Sequence, residues 1–449
     1  MGRIVFLILA VLEIGLAVWA CRRKPEGKLW RRNRLFFRAA EILTAGLALL
    51  SVSQKWRFVP LLVGLAILLA IAALALGIGR NRNGGGKKAA GAVFSCLLNL
   101  VLFALLLLPA VVFTDYSGLP VSGTHEIAES SAILIDRSRT DPFEQDGSFR
   151  EVPVHFYSPT DGAESYPLVV FSHGAFGYYQ SNTSTYQELA SNGYVVAALD
   201  HPHHAFFTQD TNGSMVLVDR GFITTAMNLN DDVEAEKQLA VYTEWMALRT
   251  ADMNFVVDAL KAAAESGTTD ESWYVSGKES EAIRAVLAMI DTSRIGLMGH
   301  SMGGATSVEL GRERSDVAAV IDLDGTMLGE YQGLEDGEFV YRDEPYPVPV
   351  LDFNNWESYS GLQQYLAEGG RYANVELIRS AADGFSTTIR DTKHMDFTDL
   401  PMFSPTLGKM LGSGERSTEE TMKTVNSLVL SFFNCYLKGE GVFTVQDIY

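Results

Sequence analysis

A serine between two glycines is the residue whose setting most favours covalent chemistry. Residues 299–303 read Gly-His-Ser-Met-Gly, with Ser301 at the centre, after an apolar run and before a run with helical spacing. The glycines let the chain turn sharply from strand to helix, which raises the hydroxyl above the sheet and directs the helix N terminus towards it. Five-residue motifs also arise by chance, but in this context the motif predicts a serine that attacks ester carbonyls.

A nucleophilic serine needs a histidine base and an acid that orients the base, in the chain order Ser, acid, His. Of the eight histidines, only His394 follows Ser301, so His394 is the predicted base. Asp324 and Asp352 both lie at the ends of predicted strands, and their spacing does not decide which is the acid. Asp322 alternates with Asp324 along one strand and is expected to point to the opposite face.

The negative charge that develops on the ester oxygen needs N–H donors. Residues 171–176 read Phe-Ser-His-Gly-Ala-Phe and follow a strongly apolar run. We expect the amides of Ala175 and Met302 to be the two donors, with Gly174 letting the backbone approach the substrate. His173 precedes the nucleophile in the chain, so we expect it to shape this loop rather than to transfer a proton.

A second polar cluster, Asp200-His-Pro-His-His204, contains three histidines in four residues. Such spacing could bind a metal ion. The stiff Pro202 and the lack of a second group of ligands favour instead a loop that lines the pocket. We therefore assign His201 and His300 to shaping the pocket or its loops. No metal or cofactor is expected, since the sequence has no phosphate-binding glycine loop, paired CxxC motif or dinucleotide fingerprint.

The elements that must hold these side chains alternate between strand and helix. Apolar runs rich in β-branched residues predict buried strands, and amphipathic spacing predicts the helices between them. Strands are expected at 151–158 (an edge strand), 166–172, 195–199, 294–298, 318–323, 348–353 and 375–379. Helices are expected at 186–192, 250–264, 302–312 and 419–436. This alternation predicts an α/β fold with a mainly parallel central sheet.

The first 114 residues differ in composition, with 15 Lys and Arg against 3 Glu. A bilayer span needs about 20 apolar residues. Four runs approach or exceed that length: 4–20, 35–53, 58–79 and 89–113. The second run is the weakest, because it contains Arg38 and Glu41, which are three residues apart and could pair. A cleavable signal peptide would explain the first run only, so we expect an all-α membrane anchor of about four transmembrane helices.

Lys and Arg are concentrated at 22–34 and 80–88, after the first and third runs. The positive-inside rule places both loops in the cytoplasm, so four spans would leave the rest of the chain on the extracytoplasmic side of the cell membrane. We expect an anchor at 1–114, a linker and entry hairpin at 115–150, and a catalytic domain at 151–449.

Residues 115–449 carry 21 Lys and Arg against 51 Asp and Glu, a net charge of −30. This charge argues against a nucleic-acid partner, because phosphate contacts need clustered basic side chains. It also favours attachment through the helices rather than through anionic lipids. Three cysteines (Cys21, Cys96 and Cys435) do not suggest a disulfide framework. No protein partner is evident.

Several segments together resemble the platelet-activating factor acetylhydrolase family, in its plasma and intracellular type II branch with bacterial relatives. The resemblance runs from Leu119 to the C terminus. It rests on residues 123–125, 134–142, 150–159, 171–174, 196–201, 249–252, 299–304, 323–324 and 394–397.

The resemblance implies an α/β-hydrolase fold and metal-independent hydrolysis of short or oxidised sn-2 acyl chains on phospholipids. It also implies that Asp324 is the triad acid. Two features depart from the family pattern: the N-terminal spans and the His-rich segment 200–204. Residues 208–244 could form a lid that differs from that of the family. The resemblance therefore predicts the type of reaction but does not decide the substrate.

The sequence as a whole predicts a membrane-anchored serine esterase that acts on a lipid or another ester. One alternative is a general carboxylesterase or acyltransferase that acts on other envelope esters. The other is an inert hydrolase domain that serves as an extracellular binding module. Measuring activity against acyl-chain length would distinguish the first alternative from the predicted esterase. A serine without catalytic activity would support the second.

Overall fold

The computed structural model describes residues 1–78, 89–161, 165–230, 232–277 and 279–449. The chain divides into two compact units. The first consists of Met1–Gly118 together with Pro401–Met410, and the second of Leu119–Leu400 together with Leu411–Tyr449. Nothing in the sequence pattern predicted that the short segment Pro401–Met410 would belong with the first unit.

The N-terminal part of the first unit is helical. Its helices are α1 (Gly2–Arg23), α2 (Gly27–Leu50), α3 (Val59–Ile78), α4 (Ala89–Leu106) and α5 (Leu108–Val112). Three segments of the described chain are long and apolar enough to cross a membrane: Gly2–Arg23, Lys55–Gly77 and Ala89–Leu106. The remaining expected run, 35–53, lies mostly in α2, whose N-terminal half is rich in arginine and where Arg38 pairs with Glu13 and Glu41. The predicted basic loop at 80–88 lies outside the described residues.

Thirteen strands occur in the described part of the second unit. They are β1 (Ile127–Thr140), β2 (Phe149–Pro159), β3 (Tyr166–Ser172), β4 (Val195–Leu199), β5 (Phe207–Gln209), β6 (Met215–Leu217), β7 (Trp273–Tyr274), β8 (Ile290–His300), β9 (Val317–Leu323), β10 (Tyr331–Glu335), β11 (Glu338–Tyr341), β12 (Val350–Asn355) and β13 (Gly384–Ile389).

Nine strands form one sheet in the order β13-β12-β9-β8-β3-β4-β2-β1-β7. The six from β13 to β4 run parallel, and β2, β1 and β7 join antiparallel at one side. Two separate hairpins are formed by β5 with β6 and by β10 with β11. The predicted α/β fold with a mainly parallel sheet is confirmed.

Two details of the predicted sheet are wrong. The strand expected at the edge, β2, lies inside the sheet between β1 and β4. Residues 375–379 are not a strand but part of a helix, Ala373–Ser380, in which Ala373 and Leu377 are buried four residues apart. That spacing puts both side chains on one helical face. The last strand of the sheet comes later, at β13.

The remaining helices are α6 (Thr183–Ser191), α7 (Arg220–Asn228), α8 (Ala235–Ser266), α9 (Ser280–Met289), α10 (Met302–Glu313), α11 (Trp356–Ala367), α12 (Ala373–Ser380), α13 (Leu400–Phe403), α14 (Pro405–Met410) and α15 (Thr418–Lys438). Alternate side chains of β3 point to opposite faces of the sheet. Leu168 and Val170 belong to a core shared with α8, α9 and α10, whereas Phe171 contacts Tyr186 of α6. Helices therefore cover both faces, and the parallel strands end at one edge.

Candidate active site

Ser301 occupies a sharp turn between β8 and α10. Its φ of 56° and ψ of −125° are unusual for a residue with a side chain. A Cβ at Gly299 would lie 2.1 Å from the backbone of Gly303, and a Cβ at Gly303 would lie 2.0 Å from the carbonyl oxygen of Ser172. Both positions therefore need glycine for the turn to close, which explains the motif found in the sequence.

The structure brings Ser301, His394 and Asp324 together. His394 lies in a short 3₁₀ turn, His394–Phe397, and its Nε2 is 2.9 Å from Ser301 Oγ. Its Nδ1 is 2.7 Å from Asp324 Oδ2. The imidazole thus contacts the serine with one nitrogen and the carboxylate with the other, as a proton-accepting base requires.

Asp324 follows β9 and has a φ of 60°, in the left-handed region. Asn355 holds this carboxylate, since its backbone N–H is 2.6 Å from Oδ1 and its side-chain amide contacts both oxygens at 3.0 and 2.9 Å. Sequence reasoning missed Asn355. The available signal was its position at the end of β12, the strand that pairs with β9.

Asp352, the other candidate acid, occupies a different place. It is buried on β12, where Asn374, Asn354 and Ser386 donate hydrogen bonds to its carboxylate. The two candidates lie on neighbouring parallel strands that end at the same edge, which explains why spacing could not choose between them. The geometry favours Asp324 as the partner of the histidine.

The two expected oxyanion donors flank the serine. Met302 is the first residue of α10, so its N–H has no intrahelical acceptor. The loop that carries Ala175 packs against the serine turn, because a Cβ at Gly174 would lie 3.1 Å from Ser301 Cβ. The side chains of Ala175 and Met302 share one apolar cluster with Phe222, Trp245, Val218, Leu229, Val241 and Ala226.

His173 is fully buried and bonded through both ring nitrogens. Its Nδ1 is 2.6 Å from the carbonyl oxygen of Gly174, and its Nε2 accepts a hydrogen bond from the amide of His201 at 3.1 Å. These partners require the proton on Nδ1, an assignment made from the hydrogen-bond network. Burial, followed by the positive charge of Arg249, lowers the pKa of His173 well below its ordinary value. The ring is therefore a neutral, fixed donor.

This bond sets the direction of a candidate oxyanion donor. The carbonyl of Gly174 and the N–H of Ala175 belong to one trans peptide, in which the two groups point in opposite directions. The amide of Gly177 also donates to the Gly174 carbonyl, at 3.1 Å. With the carbonyl anchored by His173 and Gly177, the Ala175 N–H has a fixed orientation.

The histidine-rich segment forms part of a buried hydrogen-bond network. His201 accepts from the Ser172 hydroxyl through Nε2 at 2.9 Å and donates to Asp252 through Nδ1 at 3.0 Å. Burial and the charge of Arg249 lower the pKa of His201 to about 3, so it is neutral. Within the described ranges, no three His, Cys, Asp or Glu are placed to hold a metal ion together.

Sequence reasoning also missed two buried arginines that support this network. Arg249 on α8 donates to the carbonyl of His173, and Arg150 on β2 donates to Asp252 and Asp141. Burial alone would raise the pKa of Asp252, but Arg150 and the bond from His201 outweigh it and lower that pKa. The available signal in the sequence was that β2 and α8 each contain a single arginine.

His300 lies beside the serine, buried and close to the base. Its ring centroid is 4.7 Å from that of His394, and its Nε2 is 3.3 Å from the His394 carbonyl oxygen. Burial and the neighbouring His394 lower the pKa of His300 well below its ordinary value. This position suits the expected role of supporting the site.

Comparisons with known proteins show which proteins this chain is similar to. The family profile "Platelet-activating factor acetylhydrolase, isoform II" matches residues 143–444. The platelet-activating factor acetylhydrolase of Cavia porcellus is 23% identical over 306 residues, which cover 64% of this chain and 61% of that protein. The Gallus gallus protein of the same name is 23% identical over 300 residues, or 63% of this chain and 65% of that protein. The chain thus spans less than two thirds of the length of these relatives.

A solved structure shares the fold. A ferulic acid esterase from Streptomyces cinnamoneus superposes with a TM-score of 0.52 at 23% identity, covering 72% of this chain and 93% of that one. The family match extends over more than half of the chain and includes all the residues gathered around Ser301. The chain therefore belongs to the platelet-activating factor acetylhydrolase isoform II family, within the α/β-hydrolase superfamily.

Proposed function

We propose that this protein is a serine esterase that hydrolyses carboxylic esters through an acyl-enzyme. The observation that carries the proposal is the placement of the His394 imidazole, 2.9 Å from Ser301 Oγ and 2.7 Å from Asp324 Oδ2. Membership of an esterase-containing family supports the same reaction class.

In the first half of the reaction, Ser301 Oγ attacks the ester carbonyl while His394 Nε2 takes the hydroxyl proton. Asp324 accepts a hydrogen bond from the Nδ1–H of His394. This bond leaves Nε2 unprotonated, so that Nε2 can accept the serine proton, and it stabilises the imidazolium that then forms. His394 then gives its proton to the leaving alcohol. In the second half, water attacks the acyl-enzyme by the same route and releases the acid.

The tetrahedral intermediate carries its negative charge on the former carbonyl oxygen. In this proposal the amides of Ala175 and Met302 donate to that oxygen. Such donors are already oriented before the reaction, so no reorganisation is needed when the charge develops. His173 and Gly177 hold the first donor in place, and the start of α10 holds the second.

We also propose that the acyl group is short. The apolar cluster that includes Ala175 and Met302 is closed by Phe222 and Trp245, which are 5% and 8% exposed. Large, well-packed rings beside the oxyanion donors limit the room for an acyl chain. Together with relatives named for platelet-activating factor, this packing favours short or oxidised sn-2 acyl groups of phospholipids.

The first unit is proposed to anchor the enzyme in the cell membrane. Three of its segments have the length and apolarity of membrane spans. We propose that α2 also crosses, because Arg38 on α2 pairs with Glu13 on α1 and with Glu41, which removes isolated charges from the apolar surroundings. Four spans with basic loops in the cytoplasm would put the catalytic unit on the extracytoplasmic side.

The test uses the full chain in detergent micelles. Hydrolysis of p-nitrophenyl acetate, butyrate, octanoate and laurate is followed for the wild type and for Ser301→Ala, with and without a chelator. We expect chelator-insensitive activity that is highest on acetate and butyrate and is lost in Ser301→Ala. A preference for laurate would favour a general carboxylesterase. A folded wild type no faster than Ser301→Ala would refute the esterase and favour a binding module.

A further inference from the structure

Two buried aspartates face each other beneath the turn that carries Asp324. Asp322 on β9 and Asp352 on β12 are direct neighbours in the parallel register of the two strands. Both side chains are almost completely excluded from solvent, at 0% and 1% exposure. We propose that this pair holds one proton, on Asp322, and that the pair is a positioning element for Asp324. The positioning role rests on the proposed esterase function, whereas the shared proton does not.

The charges around the pair argue for a proton. Among the described residues, the titratable groups that interact most with the two carboxyls beyond their mutual effect are Asp324, Tyr346 and Tyr372, and none of these is cationic. In the part of the chain that the structure describes, no ion pair joins either carboxyl to a Lys, Arg or His. Two adjacent buried carboxylates with no cation repel each other strongly, and one of them becomes protonated instead.

Hydrogen-bond partners place that proton on Asp322. The Asp352 carboxylate accepts from three donors, Asn374 and Asn354 at 3.0 and 2.8 Å and Ser386 at 3.3 Å. Asp322 Oδ1 accepts from the amide of Gly325 at 2.9 Å, but Oδ2 meets no donor. Without a proton, the carboxylates of Asp322 and Asp352 can only accept hydrogen bonds. A proton on Asp322 Oδ2 lets Asp322 donate a hydrogen bond to Asp352.

The electrostatics support the same assignment. Burial, followed by the adjacent Asp352, raises the pKa of Asp322 well above its ordinary value. Burial also raises the pKa of Asp352, to about 7, but there the hydrogen bonds from Asn354 and Asn374 oppose it. Helix α10 leaves no space beside Asp322, because a Cβ at Gly304 would lie 1.7 Å from its Oδ1. The Asp322 carboxyl therefore takes its hydrogen-bond partner from Asp352 rather than from water.

The pair fixes the residue that follows the triad acid, through its N–H and its carbonyl. Asp322 accepts from the N–H of Gly325, and Asn374 donates at 2.8 Å to the carbonyl of the same residue while also donating to Asp352. Gly325 comes directly after Asp324, whose left-handed φ of 60° persists only if the surroundings hold it. The one-proton pair thereby orients the carboxylate that faces His394.

Two isosteric variants test the position of the proton. In Asp322→Asn the new amide can still donate to Asp352, so we expect kcat on p-nitrophenyl acetate to fall by no more than about twofold. In Asp352→Asn the new NH₂ faces donors from Asn374, Asn354 or Ser386, so we expect kcat to fall by roughly tenfold with KM unchanged. Equal losses, or a larger loss in Asp322→Asn, would overturn the assignment.

Infrared spectroscopy detects the proton on Asp322 without requiring catalytic activity. Full-length Ser301→Ala in detergent at about pH 8 should show the C=O stretch of a buried, protonated carboxylic acid. The band should be absent from Ser301→Ala/Asp322→Asn and retained in Ser301→Ala/Asp352→Asn. If the difference spectrum shows no such loss, the shared proton is refuted. If the band behaves as expected but the wild type hydrolyses no ester, the proposed function fails while the shared proton stands.

Discussion

A change at His173 would test whether the orientation of the Ala175 amide limits the proposed reaction. His173 Nδ1 donates to the Gly174 carbonyl at 2.6 Å, and the amide of Gly177 donates to the same oxygen at 3.1 Å. Substitution by asparagine or by glutamine tests separately the two bonds of the ring, the one that Nδ1 donates to Gly174 and the one that Nε2 accepts from His201. The side-chain amide introduced by His173→Asn would lie near the position of Nδ1, whereas that introduced by His173→Gln would lie near the position of Nε2, which accepts from His201.

The magnitude follows from the number of donors that hold the peptide. Removing the bond from Nδ1 leaves the bond from Gly177, so the peptide is loosened rather than released. A neutral hydrogen bond contributes about 1 kcal/mol, or slightly more when buried, which corresponds to roughly a tenfold effect. Complete loss of one oxyanion donor would lower kcat by about 10²–10³-fold, which sets the upper limit.

The assay compares His173→Gln with His173→Asn in the full chain. We expect His173→Gln to lose about tenfold in kcat on p-nitrophenyl acetate with little change in KM, since the amide acts mainly on the transition state. His173→Asn should retain most of the wild-type kcat. Inactivation by a p-nitrophenyl phosphonate, which also forms an anionic oxygen at this position, should slow in parallel. If both variants kept full activity, or if the loss appeared in KM alone, the reasoning would be refuted.

Three further changes probe the site and its support. Asp324→Asn should lower kcat by ~10⁴-fold with an unchanged circular dichroism spectrum, because the imidazole would lose the carboxylate that fixes its tautomer; a loss below tenfold would exclude Asp324 as the acid. Folding depresses the pKa of His201 to about 3 from about 6.5, so its contribution to stability is present above pH 6.5 and is lost as the pH falls towards 3. The stability gap between wild type and His201→Gln, measured by urea unfolding, should therefore shrink by about 2 kcal/mol between about pH 7 and pH 5, and a constant gap would contradict a neutral buried ring. Trp245→Ala should shift the preferred p-nitrophenyl ester from acetate towards octanoate, with Trp245→Phe as the matched control, and an unchanged profile would remove the apolar cluster from the acyl site.

The fold was accessible from the sequence because buried parallel strands leave strong local signals. The runs at β3, β4 and β9 are apolar on both faces, and the glycine-flanked serine follows a fourth such run, β8. The wrong strand at 375–379 shows the limit of this signal. A short amphipathic segment such as α12 contains as many apolar residues as an edge strand, and only the spacing of Ala373 and Leu377 distinguishes it.

The candidate site was less accessible, because its geometry depends on contacts between distant parts of the chain. His394 could be predicted from chain order alone, since it is the only histidine after Ser301. The acid could not, because one aspartate follows β9 and another lies on β12, and these paired strands reach the same edge of the sheet. Asp324 lies in a left-handed turn, whereas Asp352 lies beside the carboxyl of Asp322. Neither feature has a local sequence signature.

The register of three strands explains why His173 and His201 lie close together, with ring centroids 5.3 Å apart. Ser172 pairs with Leu199 on β4 and with Gly299 on β8, so the residues that follow these positions meet at one edge. His173 and His201 come from two of those strand ends. A metal ligand needs a free ring nitrogen, but both nitrogens of each ring already bond to protein groups. His173 therefore holds the backbone at Gly174 and His201, and His201 links Ser172 to Asp252, roles that depend on the alignment of distant strands and have no local sequence signature.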